Sequence, residues 1–235
     1  MKAKTYKRQG CFAMTLIELL LVVVVFFVLA AMLMPVSPHQ GRLAKKIKAQ
    51  FEMADLANAV ESYEAEYNRL PLANSATNKD VTYGISSADI QGFKAIDGTS
   101  LIAAHSDLIL VLMDMDSGAN AGHQLNPKQI KFLNPKIAAD AKSSGFSSID
   151  HQYRDPWGNP YVVSLDASLD GGLRDAVVSC QDLFANHAPT TLMNTNGIYA
   201  WRGKVMVWSR GQDGKANMSV PANDGANKDN LVGWK

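Results

Sequence analysis

The side chains best suited to bind a ligand lie in the C-terminal stretch that begins at Val207. Asp213, Asp224, Asp229 and Asn230 supply carboxylate and amide oxygens there. A hard cation such as Ca²⁺ takes about six to eight oxygens of this kind, together with main-chain carbonyls. Their spacing is not that of an EF-hand loop. The stretch therefore predicts either a calcium-binding loop or a solvated acidic loop without a metal.

Catalytic motifs are missing from the sequence. The five histidines are scattered without a His-x-x-x-His pair, and there is neither a glycine-flanked serine nor a glycine-rich phosphate loop. The net charge of +1 gives no argument for nucleic-acid binding. We therefore predict a protein without enzymatic activity, although scattered residues can converge in a fold.

A single acid interrupts a long apolar run near the N-terminus. The run, Met14–Met34, has 21 residues and contains Glu18, and as a helix it would reach about 31 Å, the thickness of a bilayer's hydrocarbon core. Basic residues at positions 2, 4, 7 and 8 predict a cytoplasmic N-terminus. A secretory signal has no acid in its apolar core, and a lipobox cysteine follows the apolar run, whereas Cys11 precedes it. Neither of these two signals therefore accounts for the acid and its position.

The segment Met14-Thr15-Leu16-Ile17-Glu18 resembles the start of a mature type IV pilin or type II secretion pseudopilin. In that family a prepilin peptidase cuts on the cytoplasmic side of the apolar run, and glutamate is the fifth mature residue. The resemblance implies a cut between Ala13 and Met14, with residues 1–13 as leader, and it puts Pro35 where the family also has proline. Ala13 departs from the usual glycine, so a cut after Gly10 stays an alternative.

The resemblance also implies a role in filament assembly for Glu18. The α-amine freed at Met14 would pair with Glu18 of a neighbouring subunit and neutralise an otherwise costly buried acid. The alternative is that Glu18 snorkels to the cytoplasmic interface.

Residues 35–70 are predicted to form the second half of the helix, with an interruption where Pro35 and Pro38 remove backbone donors. From Arg42 to Asn68 the apolar residues form two stripes. The first stripe is Leu43, Ile47, Phe51 and Ala54, and the second stripe is Met53, Leu56, Val60, Tyr63 and Tyr67. We interpret one stripe as the contact with the chain's own head and the other as a contact with neighbouring subunits. The alternative places both stripes inside one head.

The segment 155–161 predicts a tight double turn that leads into a strand. Its residues are Asp155, Pro156, Trp157, Gly158, Asn159, Pro160 and Tyr161. The prolines fix φ, Gly158 and Asn159 can take left-handed conformations, and Trp157 is expected to pack inward. The segment resembles a turn of the major pseudopilins. Strand-like runs are Tyr161–Leu165, Ala176–Cys180, Ile198–Arg202 and Lys204–Ser209, and the last two predict a hairpin about Gly203.

The C-terminal stretch resembles the terminal calcium loop of the major pseudopilins. The resemblance implies Asp213, Asp229 and Asn230 as side-chain ligands, the last two just before Trp234, with carbonyls near Arg210 and Asn227 completing the shell. Asn230 stands where the family has an acid, and the loop is longer than the family norm.

Together these features predict an α+β protein with a type IV pilin-like fold. Its long N-terminal helix would span the membrane in its first half, 14–34, be kinked near Pro35, and pack on a small antiparallel sheet. The head would cover residues 71–235 and end in a calcium loop at 209–235. An insertion at 72–150 would contain a short helix at Ser106–Met113, with a serine at its N-cap.

The function implied by the resemblance is that of a structural subunit of a type II secretion pseudopilus that drives protein export. The expected partners are further copies of the chain, the prepilin peptidase, the secretion assembly platform and the minor pseudopilins. The chain would sit in the inner membrane with its head in the periplasm. The alternatives are a type IV pilus or minor pilin subunit and a single-pass anchored binding or enzymatic domain.

Overall fold

The structure is a computed structural model that describes residues 15–32, 38–73, 78–93, 100–178, 191–193, 199–221 and 224–234. The chain consists of two compact units, residues 1–42 and residues 43–235. The predicted cleavage residues Ala13 and Met14, and the predicted kink at Pro35, lie outside the described residues.

The described helices are α1 (Leu16–Met32), α2 (Pro38–Tyr67), α3 (His105–Leu112) and the short 3₁₀ helices Ser87–Asp89, Gly118–His123 and Gly225–Asn227. Helix α1 begins with a capping box. The main-chain N–H and the hydroxyl of Thr15 donate to Glu18 Oε2 at 2.8 and 2.9 Å, and the Glu18 N–H donates back to Thr15 Oγ1 at 3.3 Å. These bonds satisfy amides that otherwise have no partner at a helix start.

The described strands are β1 (Asp80–Tyr83), β2 (Ile90–Gln91), β3 (Ser100–Ala103), β4 (Gly145–Phe146), β5 (Tyr153–Arg154), β6 (Val162–Leu165), β7 (Thr191–Met193), β8 (Tyr199–Trp201), β9 (Val205–Ser209), β10 (Ala216–Asn217) and β11 (Leu231–Val232). The central sheet has the order β11-β9-β6-β1-β3, in which β1 and β3 are parallel and the other neighbours antiparallel. Three strand pairs, β10 with β2, β4 with β5 and β7 with β8, lie outside that sheet.

Both faces of the central sheet are covered because side chains alternate along its strands. On β9, Val205 and Val207 enter the core that contains α2 and α3, whereas Met206 and Trp208 enter a second core on the opposite face. The second stripe supplies the α2 side of the first core, with Met53, Leu56, Val60 and Tyr63 fully buried and Tyr67 half-buried.

The expected type IV pilin-like fold is wrong, although the chain is α+β. The structure describes two helices between residues 16 and 67 instead of one long helix. No helix in the described ranges is both long enough and apolar enough to cross a membrane, whereas the expected fold had a membrane-spanning first half. The sheet is mixed because β1 and β3 run parallel, and parallel neighbours need a crossover connection that a small antiparallel meander lacks.

Three local predictions are also corrected. No hairpin forms about Gly203, because β8 pairs with β7 while β9 is flanked on both edges by β6 and β11. Residues 176–178 form a turn instead of a strand, since the buried carboxylate of Asp175 accepts hydrogen bonds from the Val177 and Val178 amides. Helix α3 is present as predicted, but its N-cap is Ala104 and no serine caps it.

Candidate functional site

The two stripes of α2 have opposite environments. The first stripe is exposed: Leu43, Ile47 and Phe51 retain 55%, 44% and 68% of their accessible surface. The second stripe is the one that packs on the head. The interpretation that a single stripe contacts the chain's own head is confirmed, and the alternative that both lie inside one head is wrong. A contact of the first stripe with neighbouring subunits stays a prediction.

The turn at 155–161 is organised by the buried carboxylate of Asp155. Its Oδ1 accepts the Trp157 and Asn159 amides at 2.8 and 2.9 Å, and its Oδ2 accepts the Ser209 hydroxyl at 2.5 Å. Burial raises the pKa of Asp155, while these hydrogen bonds oppose the rise. Gly158 has the expected positive φ, but Asn159 does not, and Trp157 is half-buried instead of packed inward.

The same turn holds the start of the C-terminal stretch, a link that the sequence analysis missed. The side-chain amide of Asn159 donates to the Gly211 carbonyl at 2.7 Å, and Ser209 joins Asp155 to the Gly211 amide. At Gly211, with φ of +65°, an added Cβ would meet the Asp229 carbonyl oxygen at 2.1 Å. The turn and the predicted calcium loop therefore form one site.

Four of the predicted ligand residues come together in this site. Asp229 Oδ2 accepts the Asp213 amide at 2.8 Å, and Asp213 Oδ1 accepts the Lys215 amide at 2.9 Å. One end of the Asn230 side-chain amide lies 3.0 Å from the Arg210 carbonyl oxygen and 3.1 Å from that of Lys215. The Lys215 carbonyl was not among the predicted ligands, because the resemblance implied carbonyls only near Arg210 and Asn227.

Asn227 and Asp224 hold the loop instead of facing this cluster. The buried Asn227 side chain accepts the Asn217 amide and donates to the Asn217 and Val220 carbonyls. Its own carbonyl accepts the Asn230 amide at 3.2 Å. Asp224 caps the last 3₁₀ helix by accepting the Gly225 amide.

The chemistry of these groups fits a hard cation. Within the described residues, no group of three or more histidine, cysteine or acidic side chains is placed to hold a metal ion. The available ligands are two carboxylates, one amide and two carbonyls, all of them oxygens of the kind that calcium prefers. Arg210, Asp213, Lys215, Asp229 and Asn230 would hold such an ion.

A groove of about 410 Å³ runs along α2 and offers a second candidate site. Its lining residues are Glu52, Asp55, Asn58, Ala59, Ser62, Phe132, Leu133, Asn134, Pro135, Lys136 and Tyr153. Glu52 accepts a hydrogen bond from the Tyr161 hydroxyl at 2.6 Å, and the Lys48 Nζ lies 3.6 Å from Glu52 Oε1. Burial, with Glu52 beside it, raises the pKa of Tyr161, which keeps its hydroxyl protonated. Glu52 is therefore already paired with Tyr161 and Lys48 of the same chain. The groove places no nucleophile beside a general base.

No family model matches the chain, and no curated protein or solved structure matches it either.

Proposed function

We propose that the chain is a structural subunit of a type II secretion pseudopilus, cut by a prepilin peptidase and assembled with further copies of itself to drive protein export. Its partners are the secretion assembly platform and the minor pseudopilins. Before assembly the apolar N-terminal segment holds it at the inner membrane, with the head on the periplasmic side. The proposal rests on the N-terminal signal and on exposed helical surface, and it does not depend on a pilin-like fold.

The exposed first stripe is the observation that carries the proposal. Leu43, Ile47 and Phe51 recur every four residues, so they form one ridge along the helix. Large apolar side chains are costly to leave in water, at about 25 cal/mol per Å². A ridge of this kind packs well into the groove of another helix. Self-association through α2 would bury it.

Glu18 is the residue that distinguishes assembly from simple helix capping. Its carboxylate accepts two hydrogen bonds from Thr15 of the same chain, a role that needs no second subunit. In the proposed filament the same carboxylate also receives the α-amine of a neighbouring Met14. Glutamine keeps the capping box but removes the charge, whereas alanine removes both.

The test compares Glu18→Ala and Glu18→Gln with the wild type, each co-expressed with a prepilin peptidase and a type II secretion assembly platform. We expect cleavage in all three proteins and filaments, counted by electron microscopy after shearing, only in the wild type. Assembly of the Gln variant at the wild-type level would assign Glu18 to capping alone. A wild type that is cleaved but forms no filaments would overturn the proposed function.

We also propose that the cluster around Asp213, Asp229 and Asn230 binds Ca²⁺. The proposal is supported by the convergence of hard oxygens from these side chains and from the Arg210 and Lys215 carbonyls. An ion that binds only the folded chain stabilises it, by about 2.7 kcal/mol at a hundred times its dissociation constant. The full chain should therefore melt at a higher temperature with millimolar calcium than with EGTA, and equal melting temperatures would overturn the calcium site.

A further inference from the structure

Residues 43–48 of α2 form a helical segment that is exposed on all sides, and burial of the helix begins only at Ala49. The segment combines two large apolar side chains with three lysines. Its apolar ridge continues onto the next turn of the helix at Phe51. Exposed apolar surface with polar residues around it is typical of protein–protein contacts. A surface that fits this segment would offer room for large side chains and negative charge.

The next three turns of α2 have small side chains on the face where the start of the helix has large ones. Positions 43 and 54 are 11 residues apart, which is about three helical turns and therefore the same face. The shift takes Leu43, Ile47 and Phe51 to Ala54, Asn58 and Ser62, and all six side chains are exposed. Two copies of α2 displaced by this shift would place large side chains against small ones, which lets their surfaces interdigitate.

The groove along α2 adds negative charge beside the small side chains. Its lining residues include Asn58 and Ser62, two acids, Glu52 and Asp55, and one base, Lys136. Glu52 is paired with a lysine of its own chain, whereas Asp55 is exposed and forms no ion pair within the described part of the chain. The groove therefore offers the charge that the lysines of residues 43–48 require.

We propose that α2 of one copy packs parallel to α2 of the next copy, displaced by about 16 Å along the helix axis. Residues 43–51 of one chain then cover residues 54–62 of the other, and Lys46 lies on the same side of the contact as Asp55 of the neighbouring copy. The inference rests on the proposed function, in which all N-terminal segments enter the same membrane and the helices run parallel. It adds the register of the subunit contact.

The two contacting surfaces are different parts of the molecule, so the contact is heterologous. Each copy offers residues 43–51 to one neighbour and residues 54–62 to another. A contact of this kind repeats without closing when its rotation does not complete a ring, and it then builds an open helical filament. An antiparallel contact of the same two surfaces would instead be reciprocal and would stop at the dimer.

Cross-linking tests the register in the full chain, co-expressed with a prepilin peptidase and a type II secretion assembly platform. Gln50→Cys and Ser62→Cys are combined in a chain whose Cys11 and Cys180 are serine. Both sites are exposed and flank the ridge. A bismaleimide added to sheared filaments should give dimers, trimers and longer species, because each copy offers one thiol to each of two neighbours. With Lys45→Cys in place of Gln50→Cys the chain should stay monomeric, since Lys45 lies on another side of the helix.

The outcomes separate the register from the proposed function. A product that stops at the dimer would overturn the parallel register in favour of a two-fold contact. Filaments without any cross-linked product would also overturn it and leave the ridge to another partner. A wild type that forms no filaments would overturn the proposed function, on which the register rests.

Charge exchange tests the pairing of Lys46 with Asp55 without altering the ridge. Lys46→Asp and Asp55→Lys, each alone, should reduce the number of filaments about tenfold, because like charges would face each other across the contact. The two substitutions together should restore most of the filaments. Lys45→Asp with Asp55→Lys is the control and should assemble no better than Asp55→Lys alone. Wild-type filament numbers in either single variant, or no recovery in the exchanged pair, would overturn the register.

Discussion

At the scale of single residues, the head contains polar groups whose environment fixes their protonation. His105 is 3% exposed, and neither ring nitrogen has a hydrogen-bond partner in the described part of the chain. Burial lowers the pKa of His105 to about 3, with the nearby Arg154 guanidinium adding to the decrease and Asp150 opposing it. The imidazole is therefore neutral in the folded chain at neutral pH.

This burial predicts a loss of stability in mild acid. The unfolded chain takes up a proton at His105 below about pH 6.5, whereas the folded chain does so only near pH 3. The contribution of the neutral His105 side chain to the unfolding free energy is fully present above pH 6.5 and is lost as the pH falls toward 3. Between pH 7 and pH 5 the wild type should lose about 2 kcal/mol of unfolding free energy more than His105→Leu does. Urea denaturation of both proteins at the two pH values measures the difference, and equal losses would contradict it.

At the scale of elements, α2 is a helix whose two stripes should respond oppositely to mutation. Met53→Ala opens a cavity in the core and should reduce the unfolding free energy by about 2–5 kcal/mol. Phe51→Ser removes an exposed ring, so stability should change by less than about 0.5 kcal/mol while filament assembly falls. Thermal unfolding and filament counts measure the two effects. Normal assembly of Phe51→Ser together with Ile47→Ser would remove the first stripe from the subunit interface.

Elements that depend on local interactions could be predicted from the sequence, whereas pairings between residues far apart in the chain could not. The stripes of α2, helix α3 and the strands β6, β8 and β9 were evident in local periodicity and composition. The parallel register of Val81 with Leu101, and the antiparallel register of Val81 with Leu165, join residues far apart in sequence, where a local pattern carries no pairing information. The predicted hairpin at Gly203 was wrong for the same reason, since distant strands occupy both edges of β9.

The side chains of the candidate site could be predicted from the sequence, but the contacts that join them to the rest of the chain could not. The carboxylates and the amide of the C-terminal loop were identified from the sequence, but its tie to the turn through Asn159 and Gly211 was not. The Lys215 carbonyl was also missed. The capping box at Thr15 and Glu18 has the sequence signature Thr-x-x-Glu, yet the apolar context directed the interpretation of Glu18 to filament assembly or to snorkelling, and not to capping.

At the scale of the whole molecule, we expect the chain to lose its leader, residues 1–13, before assembly. The bond between Ala13 and Met14 precedes the apolar run and follows a basic flank, and the proposed function requires that it lie on the cytoplasmic side. Mass spectrometry of the full chain, co-expressed with a prepilin peptidase, should show the loss of residues 1–13 and an N-methylated Met14.

Two matched variants separate this bond from its alternative. Ala13→Gly restores the glycine usual in the family and should be cut at the same bond at least as fast. Gly10→Ala should leave the mature mass unchanged, because Gly10 is then only part of the leader. If Gly10→Ala abolishes cleavage while Ala13→Gly does not alter the product of the wild type, the cut lies after Gly10 and Glu18 loses its place as the fifth mature residue. A leader that stays intact in every protein, or a cut between Pro35 and Gln40, would contradict processing by a prepilin peptidase and with it the subunit function proposed for this chain.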